Sequence, residues 1–157
     1  MESYLESKSD PQGYYVCMEI CHNIIPSVGN LKRRGLQVED SCCICGEVGE
    51  SVVHVMLKCR LYQKVWAMVY PKMNEMVGLH IELGNVWFVI FQQIIKDNVV
   101  KMFLTTCWML WNNRNKCFHE NTCLSATKIF RSVNSLIADF KQMTIIEEFR
   151  AERESKH

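Results

Sequence analysis

The sequence predicts a mainly α-helical protein with a short cysteine- and histidine-rich segment inserted among its N-terminal helices. Apolar residues recur at three- and four-residue spacing through much of the chain, which is the period of an amphipathic helix. Serine, proline and glycine stand where these periodic stretches start and stop. Residues 42–59, CCICGEVGESVVHVMLKC, interrupt the helical pattern. Behind this segment we expect a helical hairpin or bundle.

The N-terminal part of the chain predicts a flexible lead and two helices. Residues 1–12 form the lead, since they are mostly polar. Residues 13–25 carry apolar side chains at helical spacing, and Pro26 ends that helix because the residue before a proline disfavours the helical conformation. A short helix follows, with Ser27 as its N-cap and Gly35 as its C-terminal stop.

The middle of the chain predicts one amphipathic helix and a boundary. Residues 59–70 place their apolar side chains on one side of a helix, and Pro71 closes it. That apolar side consists of Leu61, Val65, Trp66 and Val69. Residues 77–85, VGLHIELGN, are typical of a turn. We therefore expect the boundary between two parts of the chain near residue 80.

The C-terminal part predicts three helices. Residues 85–96, NVWFVIFQQIIK, indicate a buried helix, although a strand is the alternative because the stretch is short and rich in β-branched and aromatic residues. Asp97 is placed to cap the following helix. The last helix begins near Thr122 or Ser125 and continues beyond Phe149. Its apolar stripe consists of Ile129, Val133, Leu136, Phe140 and Met143.

Composition limits the classes of function. The chain has 157 residues, of which 48% are hydrophobic, so it has enough apolar side chains to bury a core. Its formal net charge of +1 does not indicate a strongly basic nucleic-acid-binding protein. A phosphate-binding surface would therefore have to be a local patch.

The cysteine count and the N-terminus indicate where the protein works. The nine cysteines are an odd number, and the polar, acid-containing N-terminus is unlike a secretory signal. We therefore expect reduced thiols or metal ligands rather than disulfides. No apolar run approaches the roughly 20 residues that cross a bilayer. These features favour a soluble intracellular protein of the cytoplasm, the nucleus or both.

The cysteine- and histidine-rich segment predicts a zinc site. The ligands that we expect are Cys42, Cys45, His54 and Cys59, in the pattern C-x2-C-x8-H-x4-C. A tight turn ending in Gly46 allows the first two sulfurs to face one point, and the later two residues complete a tetrahedron. Three thiolates and one imidazole suit zinc, and four protein ligands leave no position for water. Such a closed site stabilises the fold rather than performing catalysis.

Four alternatives to this interpretation exist. The cysteines could be ordinary buried residues, and C-x-x-C could be a redox motif, although no βαβ pattern surrounds it. Cys43 could pair with Cys45 in place of Cys42, although C-x2-C is the commoner zinc knuckle. His22, beside Cys21, is a weaker substitute for His54.

The segments CHNIIPSVGNLKRRGL and CCICGEVGESVVHVMLKCRLYQKVW together resemble the zinc-binding domain of reverse transcriptases from plant non-LTR (LINE-type) retroelements. The first part of the family pattern matches Cys21, His22, Ile24, Ile25, Pro26, Asn30, Leu31, Arg33, Arg34 and Gly35. The second matches Cys42, Cys45, Gly46, Glu50, His54 and Cys59, and the third matches Val65 and Trp66. The resemblance covers roughly residues 15–70. It extends weakly to about residue 120 through CWMLWNNRNKCFHE, which is similar to the linker before an RNase H domain.

The resemblance implies a zinc-binding domain at residues 13–78, after the lead at 1–12, with a helical region and a charged tail at 79–157. Within these residues no Tyr-x-Asp-Asp sequence and no suitable carboxylate cluster occurs, so the metal-holding acids of polymerase or RNase H chemistry are lacking. Cys43 stands where the family commonly has proline. We found no other catalytic motif, and a closed zinc site is not catalytic. We therefore expect no enzymatic activity.

Two classes of function follow from this interpretation. In the first, the protein binds another protein or itself, which its near-neutral charge and the apolar stripe of its last helix favour. In the second, it binds single-stranded RNA or DNA, as the resemblance to a polymerase domain suggests. The phosphate contacts would then come from Lys32, Arg33, Arg34, Lys58, Arg60 and Lys64. Bases would stack on Trp66 or Tyr62, although the spacing of its helix favours a core position for Trp66. We expect neither a membrane nor a small-molecule substrate.

Overall fold

A computed structural model describes residues 19–20, 26–80 and 86–157. The predicted helix over residues 13–25 lies largely outside these ranges, as do Cys21 and His22. The described part is mainly α-helical, as predicted, and contains no strand. Its helices are α1 (Val28–Arg33), α2 (Arg60–Val69), α3 (Lys72–His80), α4 (Val86–Lys96), α5 (Val100–Glu120) and α6 (Ala126–Ser155), with a π-helical turn at His54–Lys58 before α2.

The ends of α1 follow the predicted signals. The Ser27 side chain accepts a hydrogen bond from the Asn30 backbone N–H, which satisfies one of the free donors of the first turn. At the other end Gly35 has a φ of +84°, a left-handed conformation that glycine adopts without strain. The N-cap and the C-terminal stop are therefore confirmed.

Helix α2 buries the predicted apolar side, and α3, a helix that was not predicted, follows it. Val65 and Trp66 are fully buried, and α2 ends at Val69, just before Pro71. The four residues from Val77 to His80 belong to α3, so a turn over this stretch was wrong. They continue the helix because Met73, Met76 and Val77 bury one of its sides against the core. Residues 81–85 lie outside the described ranges.

The region from α4 to the start of α5 differs from the sequence-based expectations at two points. Residues 86–96 are helical, so the strand alternative was wrong. Asp97 does not cap α5, whose N-cap is Val99 without a side-chain hydrogen bond. Its carboxylate Oδ2 instead accepts hydrogen bonds from Tyr70 (2.5 Å), Lys72 (2.9 Å) and Gln93 (3.1 Å). These three donors lower the pKa of Asp97 to about 2 and tie the end of α4 to the corner between α2 and α3.

The last helix begins where Ser125 caps it and runs to Ser155. The first part of its predicted stripe is buried, because Ile129 and Val133 are fully enclosed and Leu136 packs against the core. Beyond Ile137 no side chain of α6 belongs to the core of the described residues. Met143, at the end of the stripe, is 57% exposed. The stripe thus predicts the orientation of α6 but not how far its burial extends.

One core joins the cysteine- and histidine-rich segment to the helices behind it. Buried residues of both parts pack into a single cluster, in which the Trp66 and Phe103 rings stack at 5.9 Å between centroids. Across this cluster Tyr62 donates a 2.6 Å hydrogen bond from α2 to the Leu110 carbonyl of α5. In the described residues, no helix has both the length and the apolar character that crossing a membrane requires.

The expectation of reduced thiols fails for one pair of cysteines. Cys117 and Cys123 form a disulfide that links the end of α5 to the connection before α6. They meet because Asn121, with a φ of +54°, turns the chain back at the end of α5 and leaves the two Cα atoms 4.9 Å apart. Four other cysteines of the described residues, Cys42, Cys43, Cys45 and Cys59, are not part of a disulfide.

Candidate metal centre

A tight turn places Cys42 and Cys45 on one side of the chain. The Cys42 N–H donates to the Glu47 carbonyl at 2.8 Å, and the Gly46 N–H donates back to the Cys42 carbonyl at 2.9 Å. Gly46 has a φ of +79°, which a residue with a side chain rarely adopts, so glycine allows the turn to close. An isolated antiparallel bridge between Ser41 and Val48 holds the two ends of this loop together.

The π-helical turn supplies the other two members of the group. The Ser51 side chain accepts a hydrogen bond from the His54 N–H at the start of this turn. At its end the Cys59 N–H donates to the His54 carbonyl at 2.9 Å, five residues back. This wider turn brings His54 and Cys59 to the same side of the chain, facing the loop.

The four residues predicted as zinc ligands come together. One atom each from Cys42, Cys45, His54 and Cys59 lies within 4.8 Å of every other. Because zinc–sulfur bonds are about 2.3 Å long, ligand atoms of a tetrahedral site lie about 3.8 Å apart. The group therefore has nearly the size that a zinc ion requires, and three thiols with one imidazole are the donors that zinc prefers.

Three members of this group are buried and Cys45 is partly buried, whereas the neighbouring Cys43 is exposed. Cys59 is fully buried, Cys42 is 2% exposed and His54 is 7% exposed. Cys43 is exposed and lies outside the group, with its Sγ 3.9 Å from the Arg114 carbonyl oxygen. The structure thus brings Cys42, and not Cys43, to the other three residues.

The electrostatics of the group favour a cation. Hydrogen bonding from the Cys59 thiol lowers the pKa of Cys42, with His54 as a further donor, although burial opposes this effect. The same hydrogen bond, together with burial, raises the pKa of Cys59. Hydrogen bonding to the Cys42 thiolate also raises the pKa of His54. In the absence of metal, protons shared among these side chains neutralise the thiolate, and a zinc ion displaces them when it binds.

Glu47 is a supporting residue that the sequence did not identify. Its carboxylate Oε2 lies 3.5 Å from Nδ1 of His54, on the ring side opposite the Nε2 that is 3.3 Å from the Cys45 sulfur. A carboxylate at Nδ1 fixes the imidazole so that Nε2 faces the metal position. The sequence feature that could have identified Glu47 is its position two residues after Cys45. Exposed acids are common in loops, however, so this position alone does not indicate that the residue orients a ligand.

Glu50 and Arg114 form a second support, which joins residues 41–59, the metal segment, to α5. Their side chains are 0% and 1% exposed, and Arg114 Nη2 lies 2.7 Å from Glu50 Oε1. The same oxygen accepts the Val28 N–H of α1 at 2.9 Å. The guanidinium also lies over the rings of Trp111 (5.2 Å) and Phe118 (4.6 Å). Glu50 appeared in the family pattern, whereas nothing in the sequence marked Arg114 as buried.

The candidate phosphate-binding residues are dispersed and partly neutralised. Lys32 pairs with Asp40 at 3.0 Å, and Arg60 lies 3.7 Å from Glu47. Arg33 hydrogen-bonds to the Asn30 side chain, and its neighbour Arg34 is exposed at the end of α1. Lys58 and Lys64 are exposed and form no ion pair with the described residues.

The aromatic side chains considered for base stacking are enclosed in the core. Trp66 and Tyr62 are both 0% exposed. The Trp66 Nε1–H donates to the Met56 carbonyl at 2.9 Å. The core position expected for Trp66 is confirmed, and stacking of a base on Tyr62 was wrong because Tyr62 belongs to the same apolar side of α2.

Comparison with known families agrees with the site. Residues 4–66 match the model of a family described as zinc-binding in reverse transcriptase. No curated protein and no solved structure matches the chain significantly. The matched stretch contains all four residues of the group, so the family match and the geometry together support a structural zinc ion as the cofactor. The match covers a zinc-binding domain and no catalytic domain of a reverse transcriptase.

Proposed function

We propose that this chain is a non-catalytic zinc module, derived from the reverse transcriptase of a retroelement, that works by binding protein. It would act as an adaptor, an inhibitor or an antidote inside the cell. Zinc would hold the segment around Cys42 and His54 against the helices, and the surface of the helices would make the contacts. The four ligands would fill the coordination sphere of the metal, so that no position remains for a reacting water.

The proposal rests mainly on which apolar side chains are exposed: the rings considered for base stacking are buried, whereas several apolar side chains of α6 are exposed. The rings that could stack on bases are buried in the core. Of the ten large apolar side chains that the described residues expose, four lie within one stretch of α6: Met143, Ile145, Ile146 and Phe149. Contiguous exposed apolar side chains mark protein-binding sites more often than phosphate-binding ones.

The charge distribution supports the same choice. Nucleic-acid affinity depends on several cations that contact phosphates together. Two of the candidate cations, Lys32 and Arg60, lie beside the carboxylates of Asp40 and Glu47. A phosphate would have to compete with these carboxylates, and the net charge of +1 adds little long-range attraction.

The test is fluorescence anisotropy of labelled single-stranded RNA and of duplex DNA with the zinc-loaded chain, across a salt series. The proposal predicts no specific binding even at low salt. Tight binding that weakens steeply as the salt concentration rises would overturn the proposal. Each neutralised phosphate adds about 0.7 to 0.9 to the steepness of a plot of log affinity against log salt concentration.

Nucleic-acid binding is the alternative function, and it is favoured by Lys58 and Lys64, which form no ion pair with the described residues. Lys58 and Lys64 are exposed beside the metal segment and free to contact phosphates. If this function is correct, Lys58→Glu with Lys64→Glu will weaken binding and reduce the salt slope. The matched control is Lys101→Glu with Lys128→Glu, which makes the same charge change on α5 and α6.

A further inference from the structure

The C-terminal part of α6 has an apolar face that the rest of the described chain does not cover. Met143, Ile146 and Phe149 are 57%, 47% and 65% exposed. At 100° per residue they lie within about 60° of a line through Ile146, so they share one side of the helix. We call these three residues, together with Asp139, Gln142, Arg150 and Arg153 on the same side, the C-terminal face.

Two charges of this face, Asp139 and Arg153, are placed symmetrically about Ile146, and a third, Arg150, lies between Ile146 and Arg153. Asp139 precedes Ile146 by seven residues and Arg153 follows it by seven, so both lie on the same line along the helix, about 10 Å to either side. Neither forms an ion pair with any described residue. The face therefore carries a negative charge at one end, two positive charges, those of Arg150 and Arg153, towards the other, and apolar side chains with Gln142 between them.

From this arrangement we infer that the C-terminal face pairs with the same face of a second copy of this chain, with the two helices antiparallel. A twofold axis beside Ile146 brings Ile146 against Ile146 of the second copy, and Asp139 against Arg153 of the second copy at both ends. Met143 then lies level with Phe149 of the second copy. A parallel arrangement would instead place each charge against its like, which is unfavourable. The inference rests on the proposed protein-binding function and names the partner.

The rest of α6 leaves room for such a pairing. The core uses the helix only as far as Ile137, and eighteen further helical residues follow, from 138 to 155, about 27 Å of helix. Each apolar side chain on the face would be removed from water in the dimer, and each end would gain an ion pair. Antiparallel helices with one apolar seam and complementary flanking charges associate in this way.

The first test is the mass of the zinc-loaded chain by analytical ultracentrifugation over a range of concentrations. We expect a monomer–dimer equilibrium that Phe149→Glu abolishes. The matched control is Phe88→Glu, because Phe88 on α4 is 64% exposed, almost the same as Phe149. The control variant should dimerise like the parent. A parent chain that remains monomeric, or a Phe149→Glu variant that still dimerises, would overturn the inference.

A charge swap tests the antiparallel orientation. Asp139→Lys places a lysine against Arg153 of the second copy at both ends, so the dimer dissociation constant should rise about tenfold. Adding Arg153→Asp reverses both charges and should restore the affinity of the parent. If the dimer dissociation constant of the double variant does not return to that of the parent, antiparallel pairing is contradicted. If the parent chain is monomeric and binds no nucleic acid, the partner is not a second copy of the chain. If the chain binds nucleic acid in the salt series, the proposed protein-binding function itself is refuted.

Discussion

The metal segment, residues 41–59, and the end of α6, residues 138–155, are held in opposite ways. In the metal segment the backbone is irregular, and side chains fix it through the group of cysteines and histidine and through Glu50. In the end of α6 the backbone is a regular helix, and its apolar side chains do not join the core. Both regions contain apolar residues, yet only the first contributes buried ones, such as Val55, Met56 and Leu57, to the core.

Apolar residues at helical spacing therefore predict a helix, but they do not by themselves predict that the apolar side chains are buried. Periodic apolar side chains orient a helix once a surface is available to face them. Helix α6 packs against α2 and α5 and buries Val133, whereas Met143 stays exposed within the described chain. In the metal segment, cross-links between distant side chains substitute for the missing periodicity. Its stability should therefore depend on a few atoms, while that of the end of α6 depends on many weak local contacts.

The largest expected effect comes from removing a ligand of the metal segment. Cys42→Ser, Cys45→Ser, His54→Ala and Cys59→Ser should each release zinc and unfold the segment, because structural zinc contributes on the order of 10 kcal/mol to such sites. Metal analysis and thermal unfolding by circular dichroism measure both outcomes. Cys43→Ser is the matched control and should keep one zinc per chain. If Cys43→Ser loses the metal while Cys42→Ser retains it, the ligand set is wrong.

The next largest effect separates a buried ion pair from an exposed one. Glu50→Gln leaves Arg114 as an unpaired buried charge and should cost about 3–5 kcal/mol of the free energy of unfolding. Asp40→Asn breaks the exposed pair with Lys32 and should cost less than about 1 kcal/mol. Urea unfolding of the zinc-loaded variants measures both. Equal costs would show that Glu50 does not anchor the metal segment to α5.

A smaller effect tests the residue that supports His54. Glu47→Gln removes the carboxylate facing Nδ1, so zinc affinity should fall about 10- to 100-fold while the fold persists in excess zinc. Competition with a coloured chelator measures the affinity. Glu39→Gln is the control, since Glu39 is an exposed acid outside the metal group. An unchanged affinity for Glu47→Gln would mean that the imidazole is oriented by the backbone alone.

The smallest effect belongs to the end of α6. At concentrations where the chain is monomeric, Phe149→Ala should change the free energy of unfolding by no more than about 0.5 kcal/mol, as expected for a surface substitution. Phe103→Ala, at a fully buried position, should cost about 3–5 kcal/mol. Urea unfolding compares the two. A large cost for Phe149→Ala would place its ring in contact with the rest of the chain.

The sequence was informative wherever one local rule decided the structure. Capping by Ser27, the turn at Gly46 and the amphipathic side of α2 each depend on a few neighbouring residues. It failed where distant groups compete for a side chain. Asp97 faces Tyr70 and Lys72 rather than the start of α5, and Arg114 enters the core because Glu50, far away in sequence, neutralises it. The disulfide at Cys117 depended on a left-handed asparagine that no pattern indicated.

The most direct test of a closed structural zinc site is X-ray absorption spectroscopy of the zinc-loaded chain at the zinc edge. We expect three sulfur ligands at about 2.3 Å, one nitrogen at about 2.0–2.1 Å and no oxygen. An oxygen ligand in place of a sulfur or the nitrogen would contradict this expectation, because the metal would then have an open position that water can occupy and that catalysis can use.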